Sequence, residues 1–215
     1  MKIKIKPYHQ QNRGDFFTLP IPEDYRELNL RTHWKSTQVK RLWLHFDVIL
    51  DVEYFIRWNN AQTPKYEIGG FLFGAYNALE NGGFEVQITK FHPDFLPEFQ
   101  SPARLSFGKF FISQVQDILV ENPGWRVMGW WHTHPGHSVY LSTIDLNLHD
   151  GFFREGFHLA LVLDPFTPGW NTGFFSRKAD GVVNNRIDFR PEMDWVSWLE
   201  LVKWANTRKG LEADV

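Results

Sequence analysis

The chain has 215 residues, 43% of them hydrophobic, which is enough for one domain with a core of its own. A net charge of -2 excludes a global electrostatic case for nucleic acid or an anionic membrane surface as partner. There is no cysteine, so disulfides, thiol nucleophiles and thiolate metal sites are excluded, and any metal must rest on His, Asp, Glu and water.

The charge is unevenly spread. Residues 1–45 carry nine Lys/Arg against four Asp/Glu, scattered rather than clustered. That pattern favours a separate N-terminal extension over residues 1–40, with one domain over 41–215. The first residues, MKIKIKPYHQQNRGDFF, lack the apolar stretch of a signal peptide. No run reaches membrane-spanning length, so a cytoplasmic protein without a membrane partner is expected. The aromatic excess of 20 Phe, 10 Trp and 6 Tyr reads first as core filling.

In chain order, MKIKIK alternates as a short strand, and residues 8–40 form an irregular arm with one turn of helix after Pro22. Leu42–Val48 is the first clear strand, with Leu42, Leu44 and Phe46 on one face. Asp51–Asn60 has helical spacing of Val52, Phe55 and Ile56. YEIGGFLFGAY (66–76) and FEVQITKF (84–91) make a hairpin around the turn at 77–83. Three prolines make 92–106 a loop. An amphipathic helix follows over Ser106–Glu121, then the strand WRVMGWWHTH (125–134) and a helix from Ser142 to about Glu155. FHLALVLD (157–164) is apolar throughout, as a strand buried on both faces must be. GFFSR is a further strand, GVVNNRIDF a candidate last one, and 193–205 an amphipathic helix. The expected fold class is α/β, a mixed, mostly antiparallel sheet flanked by helices.

The chemistry concentrates in GWWHTHPGHSVYLSTID (129–145). His132 and His134 are two apart on a strand, so both imidazoles leave one face, with Cα atoms roughly 6.6 Å apart. Ser142 and Asp145 share the first turn of a helix. The loop between them is long enough to fold that turn back over the strand end. Two imidazoles and a carboxylate would then make a three-ligand zinc site with one open position, the catalytic kind. Each half has a plainer reading. Ser-x-x-Asp alone is more often a helix cap, and two strand histidines are often a wet face. The joint pattern H-x-H-x7-S-x2-D at a strand-to-helix junction is far more specific, and STID is read as helix start and metal site together.

This stretch resembles the signature of the JAMM (MPN+) zinc metalloproteases, which remove ubiquitin and ubiquitin-like proteins. That family carries a glutamate before a Gly-rich strand upstream, and YEIGGFLFG fits, with Glu67 in that place. The resemblance spans about residues 42–178. Trp131 and Thr133 stand where Tyr and Ser are common. It implies a JAMM/MPN, cytidine deaminase-like three-layer arrangement. It implies Zn2+ held by His132, His134 and Asp145, with Glu67 as general acid/base and Ser142 assisting at the oxyanion. It further implies a partner, a ubiquitin-like protein or its conjugates, and a prokaryotic member of the family with an antiviral-defence context. Without the resemblance, Glu67 reads as a surface carboxylate. Gly69 and Gly70 would let backbones approach closely.

His137 makes HTHPGH similar to the ligand string of metallo-β-lactamase-like hydrolases, but Gly136 takes the Asp position, leaving His137 a loop residue near the pocket. His149, one turn past Asp145, reads first as a helix-surface histidine and second as a donor orienting that carboxylate. The loops at 92–105 and 165–173 are, by resemblance, substrate-binding segments; local packing under a loop is an equal reading of their apolar residues. The expected function is a zinc-dependent isopeptidase or peptidase cutting after a ubiquitin-like tail. The alternatives are a non-catalytic scaffold of the same fold and a zinc hydrolase acting on a small molecule.

Overall fold

A computed structural model describes residues 23–28, 37–62, 65–80, 82–178, 180, 183 and 196–210. The expected strand at 1–6 lies outside them, as does nearly all of GVVNNRIDF. The protein is a mixed α/β fold. Eight strands form one sheet: β1 (Tyr25–Leu28), β2 (Val39–His45), β3 (Gly69–Ala78), β4 (Phe84–Pro93), β7 (Arg126–Thr133), β8 (Leu159–Asp164), β9 (Asn171–Ser176) and β10 (Val196–Ser197). Their order is β1-β2-β4-β3-β7-β8-β9-β10. Only β2 with β4 and β7 with β8 pair in parallel, so the sheet is mostly antiparallel. A separate two-stranded hairpin joins β5 (Phe99–Ser101) and β6 (Arg104–Ser106).

Four helices complete the described chain: α1 (Phe46–Gln62), α2 (Lys109–Glu121), α3 (Thr143–Phe152) and α4 (Trp198–Lys209). Helices α1 and α4 cover one face of the sheet, where Ile49, Ile56, Trp198 and Ala205 pack against Leu44, Leu72, Ile88 and Leu161. Helices α2 and α3 cover the other, where Phe111 and Val115, with Leu146 and Phe153, meet Phe71, Phe73, Trp130 and Val162. Each large apolar side chain so buried contributes about 1.5–3 kcal/mol. Strand β8 is buried along its whole length, as its unbroken apolar run requires. None of the described helices is long and apolar enough to cross a membrane.

Several expectations are corrected. No helical turn follows Pro22: residues 23–24 are a turn, and Tyr25–Leu28 is an edge strand pairing with β2. Strand β2 ends at His45, and Phe46 and Asp47 already begin α1, because no Gly or Pro interrupts the apolar run. Part of the loop at 92–106 is ordered. His92 and Pro93 close β4, and the β5–β6 hairpin occupies much of the rest. Helix α2 starts at Lys109 rather than Ser106, α3 stops at Phe152, and α4 starts at Trp198.

A bulge in β7 sets which residues face the site. The pairing with β3 slips between Leu72 and Phe73, opposite Gly129 and Val127. As a result Met128 and Trp131 both reach the α1/α4 core, while Trp130 lies in the α2/α3 core. Only glycine fits at the bulge, since a Cβ on Gly129 would lie 1.8 Å from the Leu159 carbonyl oxygen. Gly129→Ala should therefore destabilise the fold by about 3 kcal/mol or more in denaturant titration. Gly124→Ala, where a Cβ meets nothing within 4 Å, should change it by less than about 0.5 kcal/mol.

Candidate metal centre

The site is built where β7 ends. His132 and His134 lie on the α2/α3 side, and their Nε2 atoms are 2.9 Å apart. Helix α3 begins directly above. Ser142 is its N-cap, accepting the Asp145 N–H at 3.2 Å, while the Asp145 carboxylate accepts the Ser142 N–H through Oδ2 at 2.7 Å. This capping box turns Asp145 toward the strand. Its Oδ1 is 3.5 Å from His132 Nε2, and its Oδ2 is 3.5 Å from His134 Nε2. One carboxylate thus serves cap and cluster together. One ligand atom from each of His132, His134 and Asp145 lies within 4.8 Å of the others, and all three residues are buried.

Glu67 joins from the segment before β3. Its Oε1 is 3.8 Å from His134 Nε2, and the residue is 5% exposed, so it is no surface carboxylate. Its backbone is held on both sides by the hairpin. The Glu67 N–H donates to Ser101 O at 2.9 Å, and Gln100 Nε2 donates to Glu67 O at 2.9 Å. Next to it, the Ile68 N–H donates to Thr133 Oγ1 at 3.1 Å, and the Thr133 N–H to Ile68 O at 2.8 Å. The expected close approach is met at both glycines. A Cβ on Gly69 would lie 2.4 Å from Trp131 O, and one on Gly70 2.0 Å from His92 O.

Burial pushes the Glu67 carboxyl up to about 7; the charge of His134 works against this and that of Asp145 reinforces it. Asp145 behaves oppositely. Burial alone would raise it, but the His132 charge and hydrogen bonds from His132, His134 and Ser142 hold it far below the usual carboxylate range. Burial lowers His132, against the pull of Asp145. The cluster therefore pairs an ionised carboxylate with a second one poised near neutrality, the division of labour that acid–base chemistry needs.

Two supporting residues have contacts that sequence reasoning does not give. Asp164, 1% exposed at the end of β8, accepts the N–H groups of Gly136 (2.9 Å) and Phe166 (3.1 Å) through Oδ1, and that of Ser138 (3.1 Å) through Oδ2. It shapes the turn after His134, where Gly136 and Ser138 have φ of 79° and 70°. His134 Nδ1 then donates to Ser138 O at 3.2 Å, which leaves the Nε2 lone pair for the cluster. Asp164 closes the fully apolar run of β8, the one signal that marked it. The other is His149. It is 0% exposed rather than on the helix surface, and its Nδ1 accepts the Trp130 indole N–H at 3.2 Å. Burial, helped by the charges of Arg177 and His158, pushes it down to about 3, so it is neutral. His137 is an exposed loop residue whose side chain takes no part in the cluster.

No protein-family model matches the chain, and no curated protein does. Solved structures resemble part of it. A protein from Desulfitobacterium hafniense is 21% identical, with a TM-score of 0.47, covering 63% of this chain and 84% of that one. A protein from Salinibacter ruber is 18% identical, with a TM-score of 0.37, covering 67% of this chain and 91% of that one. At these scores neither bears on what this chain does.

Two measurements check the geometry. A carboxyl raised from 4.5 to about 7 on folding stabilises the fold below 4.5 and loses that contribution as pH rises through 7. In chelator, Glu67→Gln should remove this loss, so its unfolding free energy at pH 8 should exceed that of the unaltered chain by on the order of 1–3 kcal/mol and converge with it near pH 4. Asp164→Asn leaves at least one backbone N–H without its acceptor. It should cost about 1–3 kcal/mol in denaturant titration.

Proposed function

We propose that the chain is a zinc-dependent isopeptidase or peptidase of the JAMM (MPN+) kind, cutting after the C-terminal tail of ubiquitin or a ubiquitin-like protein. One observation carries the reading. Buried Glu67 stands beside the converging His132, His134 and Asp145, with the Ser142 hydroxyl on the same capping turn. The donor set fits a divalent ion. Two Nε2 atoms 2.9 Å apart with a carboxylate 3.5 Å from both bring three ligand atoms close enough to share one cation. Two imidazoles and one carboxylate suit zinc among the first-row metals. When bound, zinc polarises a scissile carbonyl and makes water a usable nucleophile near neutral pH.

The chain's own residues supply the proton chemistry and the orientation. With its pKa near 7, Glu67 can take a proton from the attacking water and return it to the leaving amine, a Lys side chain or an α-amine. Ser142 Oγ accepts the Asp145 N–H, so its own O–H remains to donate to the oxyanion. The segment that fixes Glu67 also presents Phe95, Leu96 and Phe99, all exposed, where an extended tail would lie.

The test is incubation of the full chain with ubiquitin-like fusions, with and without chelator. Cleavage should require zinc and return when zinc is restored. Glu67→Gln should keep zinc and lose at least about 100-fold in rate. A zinc-loaded chain that cuts none of the fusions sinks the isopeptidase reading and favours the scaffold or a small-molecule hydrolase. Undiminished turnover by Glu67→Gln removes that residue from the mechanism.

A further inference from the structure

The two imidazoles of the cluster are supported in different ways. His134 has a hydrogen bond at its second ring nitrogen, to Ser138 O. His132 has none: its Nδ1 is buried and without a partner among the described residues. A metal-binding histidine normally has its ring plane set by a bond at that second nitrogen. At His132 the plane is matched instead by Trp130, whose ring lies 4.5 Å away at an angle of 8°. Trp130 is itself fixed. Its indole N–H donates to His149 Nδ1 at 3.2 Å, and Phe107 and Phe153 pack against it at 6.4 and 6.3 Å. His149 lies on α3, the helix that also carries Asp145.

We propose that Trp130 and His149 are a positioning pair for His132, setting the plane in which its Nε2 lone pair points by stacking rather than by a hydrogen bond. The proposal rests on His132 being a metal ligand. The plainer account, that a buried indole merely needs an acceptor, explains the Trp130–His149 bond. It does not explain the near-parallel stack on the one cluster imidazole whose second ring nitrogen lacks a partner among the described residues. The pair also ties the strand that supplies two ligands to the helix that supplies the third, so ring plane and carboxylate position move together.

The experiment is zinc affinity by chelator competition on the full chain, with the 15N ring signals of His132 recorded in the zinc-loaded protein. His149→Leu removes the acceptor, and Trp130→Phe keeps an aromatic face but removes the N–H. Each should weaken zinc about tenfold, and the His132 ring signals should broaden. The double variant should be no weaker than either single one, because both break the same link. His149→Gln, which restores an oxygen acceptor, should return affinity to within about threefold of the unaltered chain. Unchanged affinity in folded His149→Leu, or additive losses in the double variant, overturns the proposal. If His149→Leu does not fold, unchanged affinity and sharp ring signals in Trp130→Phe overturn it equally. An unaltered chain that takes up no zinc refutes the metal site, and the pairing with it. Zinc uptake together with indifference to both substitutions refutes the pairing alone.

Discussion

The approach of β3 to β7 at Gly69 decides where Glu67 can be. Gly69 pairs with His132 across the ladder, and Thr133 extends that pairing to Ile68 through backbone and side chain. A side chain at Gly69 would strike the Trp131 carbonyl oxygen, so any larger residue there would push the strands apart. The segment holding Glu67 would then leave the two imidazoles. The β5–β6 hairpin secures the same segment from the other side. Glu67 is thus placed by hydrogen bonds that its own and the next residue's backbone make to two elements.

This placement is unfavourable by itself. Two carboxylates and two imidazoles are gathered out of water, and the cost appears as a Glu67 pKa near 7 and a His132 pushed down by burial. The capping box offsets part of it, because Asp145 uses one carboxylate to start α3 and to face both histidines. The rest of the stability must come from the two apolar layers that clamp the sheet. The capping turn and the hairpin hold these side chains in one place, as a metal site of set geometry would require.

Much of this was legible in the sequence, and the physics says why. Strand alternation alone brings His132 and His134 together, and helical spacing alone brings Ser142 and Asp145 together. The apolar run of β8 announced burial on both faces. What stayed hidden depends on contacts distant in the chain. His149 could not be read as buried, because its partner Trp130 sits on a strand 19 residues earlier. The role of Asp164 lies in backbone N–H groups 26 and 28 residues before it. The short edge strand β1 has only one buried residue to mark it, and the β5–β6 hairpin is set among prolines that argue for a loop. Glu67 carries no local signal of burial, and only the resemblance points to it.

The hidden residues share a place in the design. Asp164 acts on His134 through the turn at Gly136 and Ser138, and its own position comes from β8, which runs parallel to β7. His149 acts on Trp130 from α3. Each cluster imidazole is therefore braced by a different neighbouring element, one from the sheet and one from the helix layer. A displacement of β8 would disturb His134 first, and a displacement of α3 would disturb Asp145 and the surroundings of His132 together. The site is accordingly sensitive to the relation between β7 and α3, since His132 and His134 lie at the end of the one and Asp145 in the first turn of the other.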